Sequence, residues 1–206
     1  EDFAYPLNKD GTAPSALENQ SREKVLALTK VLFQGHPVAV VAATSAMLAE
    51  DALKLIDVEY EQLPHVLDIA TTMSADAPLL HKDLRTTYKD DVADVASNIA
   101  DHQEFIRGNA EEALENAHVV VERTFESGTV HQSYIEPDSE AAWVYQDGSV
   151  TVWGNTQGTH LQRRELAHVL GIPIKTINVI PTEVGGAFGG KESVRVVALC
   201  AALSRK

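Results

Sequence analysis

The sequence predicts an α+β protein in two units, and three observations carry that expectation. The first half reads as strand, helix, strand. The second half holds a hairpin signal. The chain then runs through a strand, a glycine-rich loop and a helix. Each reading rests on apolar periodicity, which repeats every second residue in a half-buried strand and every third or fourth in a helix.

In chain order, residues 1–30 are mostly polar and punctuated by Pro6, Gly11 and Pro14, so they read as loop, with a helical turn over 21–24. Residues 31–33 read as a short strand. Gly35-His36-Pro37 reads as a turn. The valine-rich run 38–43 has the pattern of a buried strand. Thr44 or Ser45 can cap the helix that follows, because a short hydroxyl satisfies free backbone N–H groups. Met47, Leu48, Ala52 and Leu55 recur in that helix at helical spacing. Ile56, Val58 and Tyr60 alternate with Asp57, Glu59 and Glu61 as a half-buried strand that Pro64 ends.

The polar stretch 82–103 reads as a domain boundary or long surface connection, dividing 1–103 from 104–206. Beyond it, 109–116 reads as a short helix and 119–125 as a strand. The apolar runs 141–145 and 149–153 flank Gln146-Asp147-Gly148, and an Asp-Gly turn between such runs signals a hairpin. A helix over 157–170 is stopped by Gly171, with Pro173 just beyond. Residues 174–180 read as a strand, 185–190 as the glycine-rich loop, and a final helix starts at about Lys191.

Composition narrows the function. Hydrophobic residues make up 44% and charged residues 23%, the balance of a globular protein. A net charge of -13 repels phosphate backbones and anionic membrane surfaces, so neither nucleic acid nor membrane is expected as a ligand. No apolar run approaches the roughly 20 residues needed to cross a bilayer. No signal-peptide pattern opens the chain, and a cytoplasmic location is expected. One cysteine, Cys200, cannot supply the thiolates of an iron–sulfur cluster and reads as a buried structural thiol. Glu1 is not an initiator and residues 203–206 follow a helix with no clear stop signal, which points to proteolysis, disorder or a partial chain.

The loop Gly185-Gly186-Ala187-Phe188-Gly189-Gly190, followed by Lys191 and Glu192, is the most informative stretch. Four glycines let a backbone turn with positive φ and come close to a ligand. A helix start just beyond would add free N–H groups and partial positive charge, a site for an anion or oxo group. The plain alternative is a tight connecting turn. The dinucleotide pattern G-x-G-x-x-G does not fit. The phosphate-loop pattern G-x-x-x-x-G-K-[ST] fits through Lys191 and fails at Glu192, where a hydroxyl must hold magnesium. Phe188 either fills a core gap or lines a flat ligand.

Other candidates are weaker. Eight histidines form no zinc-type spacing. Glu122, Glu126, Glu136, Asp138 and Glu140 read as a solvated strand surface rather than an acid–base pair. No serine-hydrolase elbow is present.

At the glycine loop the sequence resembles a known family. Residues 185–192 are similar to the molybdopterin-contacting motif of the large subunits of xanthine dehydrogenase and aldehyde oxidase. Trp153-Gly154-Asn155-Thr156-Gln157, then a helix, then Leu170-Gly171-Ile172-Pro173, resembles the same family, as does the spacing from Gln157 to Phe188. Gly35-His36-Pro37, then Ala49-Glu50-Asp51-Ala52 and residues 58–64, resembles its a/b hammerhead domain. Residues 131–136 resemble a segment near the substrate funnel. The similarity covers roughly residues 20–206.

The resemblance implies a partial a/b hammerhead domain over 1–103, with linker, and the N-terminal part of a molybdenum-cofactor domain over 104–206. It implies a molybdenum–molybdopterin cofactor, in pterin or cytosine dinucleotide form. Gln157 would set its side-chain amide against an oxygen of the metal centre. Gly186, Phe188 and Gly189 would contact the cofactor, with Gln157 and Phe188 nearest the molybdenum but not ligating it. Glu192 would contact a heterocyclic substrate. Without the resemblance, Gln157 reads as a solvated helix-start residue and Glu192 as first-turn charge complementing a helix dipole.

The implied activity is oxidative hydroxylation of an N-heterocycle or aldehyde, with water as the oxygen source. Electrons would leave through 2Fe-2S clusters to FAD, both on partner chains or other domains. The implied partners are the rest of the molybdenum-binding subunit and the iron–sulfur and flavin subunits, assembled as an oligomer of heteromers. The base glutamate of the family pattern lies beyond residue 206, so no catalytic residue is expected in this chain and the chain alone is expected to be inactive. The rivals are a phosphate-loop nucleotide enzyme and a non-catalytic binding module of the same fold.

Overall fold

The computed structural model describes residues 25–89 and 91–206; the loop and helical turn expected within 1–24 lie outside the described residues. By backbone proximity the chain falls into two compact units. One combines the segment up to Glu61 with Gln132–Lys206, and the other is Gln62–His131.

The first unit is organised by a three-stranded sheet of β4 (Glu140–Val144), β5 (Val150–Gly154) and β6 (Ile177–Pro181). The expected hairpin forms. β4 and β5 pair antiparallel from Glu140 opposite Gly154 to Val144 opposite Val150. The turn closes through the Gly148 N–H donating to the Tyr145 carbonyl at 2.9 Å, with Gly148 at φ 81°. A side chain at that φ would strain the backbone, which is why the turn carries glycine.

β5 then runs into α4 (Thr159–Leu170), which returns the chain to β6, parallel to β5. Gly171 ends α4 in the left-handed region at φ 65°, and the Ile172 N–H donates to the Ala167 carbonyl. Residues 174–176 form a single 3-10 turn rather than the start of the strand, so β6 begins three residues later than the sequence suggests. The last helix, α5, spans Arg195–Ser204 and does not start at Lys191.

Burial explains why this unit holds together. Val150 and Val152 from β5, Leu166 and Val169 from α4, Ile177 from β6, and Val197, Ala198 and Ala201 from α5 form one core, closed by Val25 and Val194. α4 packs against β6, α5 against β4, and the two helices touch. Each large core side chain contributes about 1.5–3 kcal/mol by leaving water.

The hammerhead-like segment departs from expectation. α1 (Ala46–Leu53) forms and Ser45 caps it, its hydroxyl accepting from the Leu48 N–H at 3.3 Å. Residues 31–33, 38–43 and 56–60, expected as strands, are in no hydrogen-bonded strand. Apolar runs and alternation specify an extended chain, but a strand also needs a neighbour to complete its ladder. The apolar stripe of α1 is likewise uncovered, with Met47 and Leu48 exposed.

The Gln62–His131 unit carries α2 (Ile69–Thr72), β1 (Arg85–Tyr88), β2 (Asp91–Ala96), β3 (Asp101–His102) and α3 (Ala110–Glu115). The polar stretch read as a connection is therefore a small sheet in the order β2-β1-β3. It is pinned by Asn98, whose amide donates to the Thr72 and Pro78 carbonyls and accepts from the Leu80 N–H. α3 falls inside the expected 109–116, capped by Asn109. Residues 119–125 form no strand, and Val119, Val121 and Phe125 are exposed. No helix among the described residues is long and apolar enough to cross a membrane.

Candidate cofactor site

The site follows from the register of two parallel strands. Gly154 at the end of β5 lies beside Pro181 at the end of β6. The chain leaving each strand must therefore emerge at the same edge of the sheet. Residues 155–158 leave β5 there, and residues 182–191 leave β6, tied at once by the Thr182 N–H to the Gly154 carbonyl at 2.9 Å. The carboxyl ends of adjacent parallel strands are where such sheets commonly hold ligands.

Gln157 and the glycine loop meet at that edge. The Gln157 Oε1 accepts from the Gly189 N–H at 3.0 Å and from the Lys191 N–H at 3.2 Å. The Gln157 N–H donates in turn to the Lys191 carbonyl at 3.1 Å. Two backbone donors on one oxygen fix which end of the amide is which. Both lone pairs of Oε1 are used, so only Nε2 can serve a ligand, and it serves as a donor. Gln157 is exposed, so that donor is accessible.

The four glycines divide into two jobs. Gly186 and Gly189 adopt φ 89° and 86°, where a side chain would be strained. Gly185 and Gly190 instead make room. A Cβ on Gly185 would lie 2.8 Å from the Glu136 Cβ, and one on Gly190 would strike the Tyr134 ring. Phe188 sits at φ 51° and the residue is 74% exposed. It fills no core gap. A non-glycine residue in that region with its ring in water is a local cost of the kind found at ligand sites.

The loop's hydrogen bonds correct two expectations. Gly189, Gly190 and Lys191 spend their N–H groups within the protein, on Gln157, Ala187 and Gln157 respectively, and Gly185 donates to Glu136. Of the other loop N–H groups, those of Gly186 and Phe188 lie on accessible residues, whereas Ala187 is buried. The helix start is also not part of the site, because α5 begins four residues after Lys191 with no acidic residue in its first turn. Glu192 is therefore an exposed loop carboxylate, not a helix-dipole partner.

Lys191 settles the phosphate-loop question. Its side chain is 1% exposed, and its Nζ donates to Glu136 Oε2 at 2.5 Å and lies 4.9 Å from the centre of the Tyr134 ring. It faces into the protein and cannot reach a nucleotide. Glu136 in turn is no solvated strand carboxylate. The Lys191 ammonium beside it, and then the Gly185 N–H at 2.6 Å, hold its carboxyl down to about 2. The sequence offered only the similarity of residues 131–136 to a funnel segment. Nothing in the spacing of Glu136 and Lys191 along the chain marks them as partners.

This edge of two parallel strands carries the Gly186 and Phe188 N–H groups, the Gln157 amide donor and the exposed Phe188 residue, a donor set that suits a ligand with acceptor oxygens. The molybdopterin cofactor-binding domain family matches residues 92–206, and the aldehyde oxidase and xanthine dehydrogenase a/b hammerhead domain matches residues 5–64. The chain belongs to this xanthine dehydrogenase and aldehyde oxidase family of molybdopterin-binding proteins. It is 31% identical to the nicotinate dehydrogenase large molybdopterin subunit of Eubacterium barkeri over 88% of this chain and 40% of that one. It is 33% identical to the carbon monoxide dehydrogenase large chain of Afipia carboxidovorans, over 88% of this chain and 23% of that one. Among solved structures it is similar to quinoline 2-oxidoreductase from Pseudomonas putida 86, with TM-score 0.62 and 28% identity over 79% of this chain and 20% of that chain. The chain thus spans well under half the length of these relatives.

The donor set fits the cofactor. A molybdenum–pterin group presents oxygens to be met by neutral donors, and the donors available here are amides that do not titrate.

Proposed function

We propose that the chain forms one wall of the cofactor site of a molybdenum hydroxylase, which oxidatively hydroxylates an N-heterocycle or aldehyde with oxygen from water. The observation that carries this is the Gln157 amide, locked by Gly189 and Lys191 so that only its N–H groups face outward. When bound, the molybdenum cofactor would supply the two-electron redox chemistry. The residues of this chain bind and orient. Gln157 Nε2 would donate to an acceptor oxygen of the cofactor without adding charge. The Gly186 and Phe188 N–H groups lie in the same loop as acceptor-binding donors, and Gly189 holds Gln157 in place. The Phe188 ring offers a face on which a flat substrate can stack. The exposed Glu192 carboxylate, just after the loop, would accept a ring N–H of an N-heterocyclic substrate.

The division into a hammerhead piece with linker over 1–103 and the start of the cofactor domain over 104–206 is part of this reading, supported by the order of the two family matches. So are the partners: the remainder of the molybdenum subunit, iron–sulfur and flavin subunits carrying 2Fe-2S and FAD, and a cytoplasmic heteromer. Catalytic groups are then supplied from outside residues 1–206.

The test is Gln157→Ala in the intact protein. Turnover should fall on the order of 10²-fold, the scale for one lost donor in an electrostatic site, while soluble yield stays level. Equal loss of soluble protein and activity would refute the role. Native protein with no bound molybdenum would favour the non-catalytic module.

A further inference from the structure

Glu136 lies outside the proposed cofactor contacts, yet one of its oxygens reaches both ends of the loop that makes them. Oε2 accepts from the N–H of Gly185, the first loop residue, and from the Nζ of Lys191, the residue that follows the last glycine. Lys191 then exchanges two backbone hydrogen bonds with Gln157, its N–H donating to the Gln157 Oε1 and its carbonyl accepting the Gln157 N–H. The Thr156 hydroxyl adds a long contact to the same carbonyl at 3.4 Å. A continuous chain of contacts therefore runs from Glu136 through Lys191 to the Gln157 amide.

Packing reinforces the chain. Tyr134 lies under Lys191 and Gly190, and the Glu136 side chain lies under Gly185. The 132–136 segment is thus a floor pressed so close that only glycine fits above it at both positions. Asn155, itself buried, holds that floor from the other side: its Nδ2 donates to the Pro137 carbonyl at 2.9 Å and its Oδ1 accepts from the Ser139 N–H. A buried ammonium with one carboxylate partner is a switch with two settings, paired or intolerable, because an uncompensated charge cannot stay out of water. Losing the Glu136 charge forces Lys191 to move, and its backbone carries Gln157 with it.

We infer that Glu136 is a positioning residue for the cofactor loop: a single carboxylate oxygen clamps both loop ends, and through Lys191 it sets the orientation of the Gln157 amide. This rests on the proposed cofactor reading for what the loop holds, but the clamp itself is a property of this chain's own residues.

The experiment compares intact native protein with Glu136→Gln and with the double variant Glu136→Gln, Lys191→Met. Hydrogen-exchange mass spectrometry reads residues 185–191, and elemental analysis reads molybdenum retained after dialysis. The Glu136→Gln side chain still offers an acceptor to Gly185 but leaves Lys191 charged and unpaired. Loop exchange should rise about tenfold with β5 and α4 unchanged, and retained molybdenum should fall on the order of tenfold, the scale for residues that support a metal site indirectly. Lys191→Met removes the buried charge, so the double variant should return both readings to within about twofold of native. Glu136→Gln with native loop exchange would overturn the clamp. A double variant as loose as the single would show that Glu136 does not act through Lys191, and would overturn it too. Native protein without molybdenum that still shows the exchange difference would instead overturn the cofactor reading and leave the clamp standing.

Discussion

Glu140→Gln should make the β4–β5 hairpin more stable at alkaline pH and abolish its pH dependence there. The Gln162 Nε2 donates to Glu140 Oε1 at 2.7 Å, while Glu140 Oε2 and Gln162 Oε1 are both buried with no partner. Two buried acceptors facing a shortage of donors is what one added proton corrects. Burial pushes the Glu140 carboxyl up to about 7; the Gln162 hydrogen bond opposes that shift and the Asp138 charge adds to it. The folded state therefore keeps a proton that the unfolded chain releases near its ordinary value of 4.5. Stability is full below that value, declines as pH rises from it to about 7, and is level above. The ceiling on the loss is about 3 kcal/mol, and screening of a half-buried carboxyl reduces it to roughly 1–2 kcal/mol. The amide introduced by Glu140→Gln keeps the acceptor for Gln162 Nε2 and adds a permanent donor. Protection of β4 and β5 amides in a urea series, at pH 5 and pH 8.5 on the intact protein, measures the effect. Native protein should lose about 1–2 kcal/mol between the two and the variant almost nothing. A native protein as flat as the variant, or a variant weaker than native at pH 8.5, would refute the reasoning.

Other expectations concern the loop and core. Gly190→Ala places a methyl against Tyr134, and should cost about 1–3 kcal/mol and lower molybdenum content, read by elemental analysis. Gly189→Ala meets no neighbour but keeps φ 86°, so about 1–2 kcal/mol of backbone strain is expected, seen as faster loop exchange without a packing defect. Leu166→Ala empties a fully buried site and should destabilise by about 2–5 kcal/mol in denaturant unfolding. Glu192→Gln should raise KM for N-heterocycles more than for aldehydes, while leaving molybdenum content unchanged.

The second half of the fold was legible because its elements are completed mostly within it, with Val25 added from the first segment. The Asp147-Gly148 turn, the Gly171 stop and most of the apolar faces of β5 and α4 find partners in 132–206. The strands expected at 31–33, 38–43, 56–60 and 119–125 do not form for one reason: an apolar run or alternation reports a surface that wants burial, not the presence of a neighbouring ladder. Gln157 and the glycine loop could be paired from sequence only through the family resemblance, since the register that joins them, Gly154 beside Pro181, is a property of the sheet. Glu136 and Lys191 are 55 residues apart and leave no periodic trace, so their ion pair had to be seen in space. Lys191 also misleads, because a lysine after a glycine loop suggests a phosphate ligand until its burial is known.

The most direct test is to locate molybdenum by its anomalous scattering in crystals of the intact protein. A single peak is expected facing the Gln157 Nε2 and the N–H groups of Gly186 and Phe188, with Gln157 Oε1 still bound to Gly189. A molybdenum peak remote from Gln157, or this edge of the sheet sealed by the protein's own side chains, would contradict it.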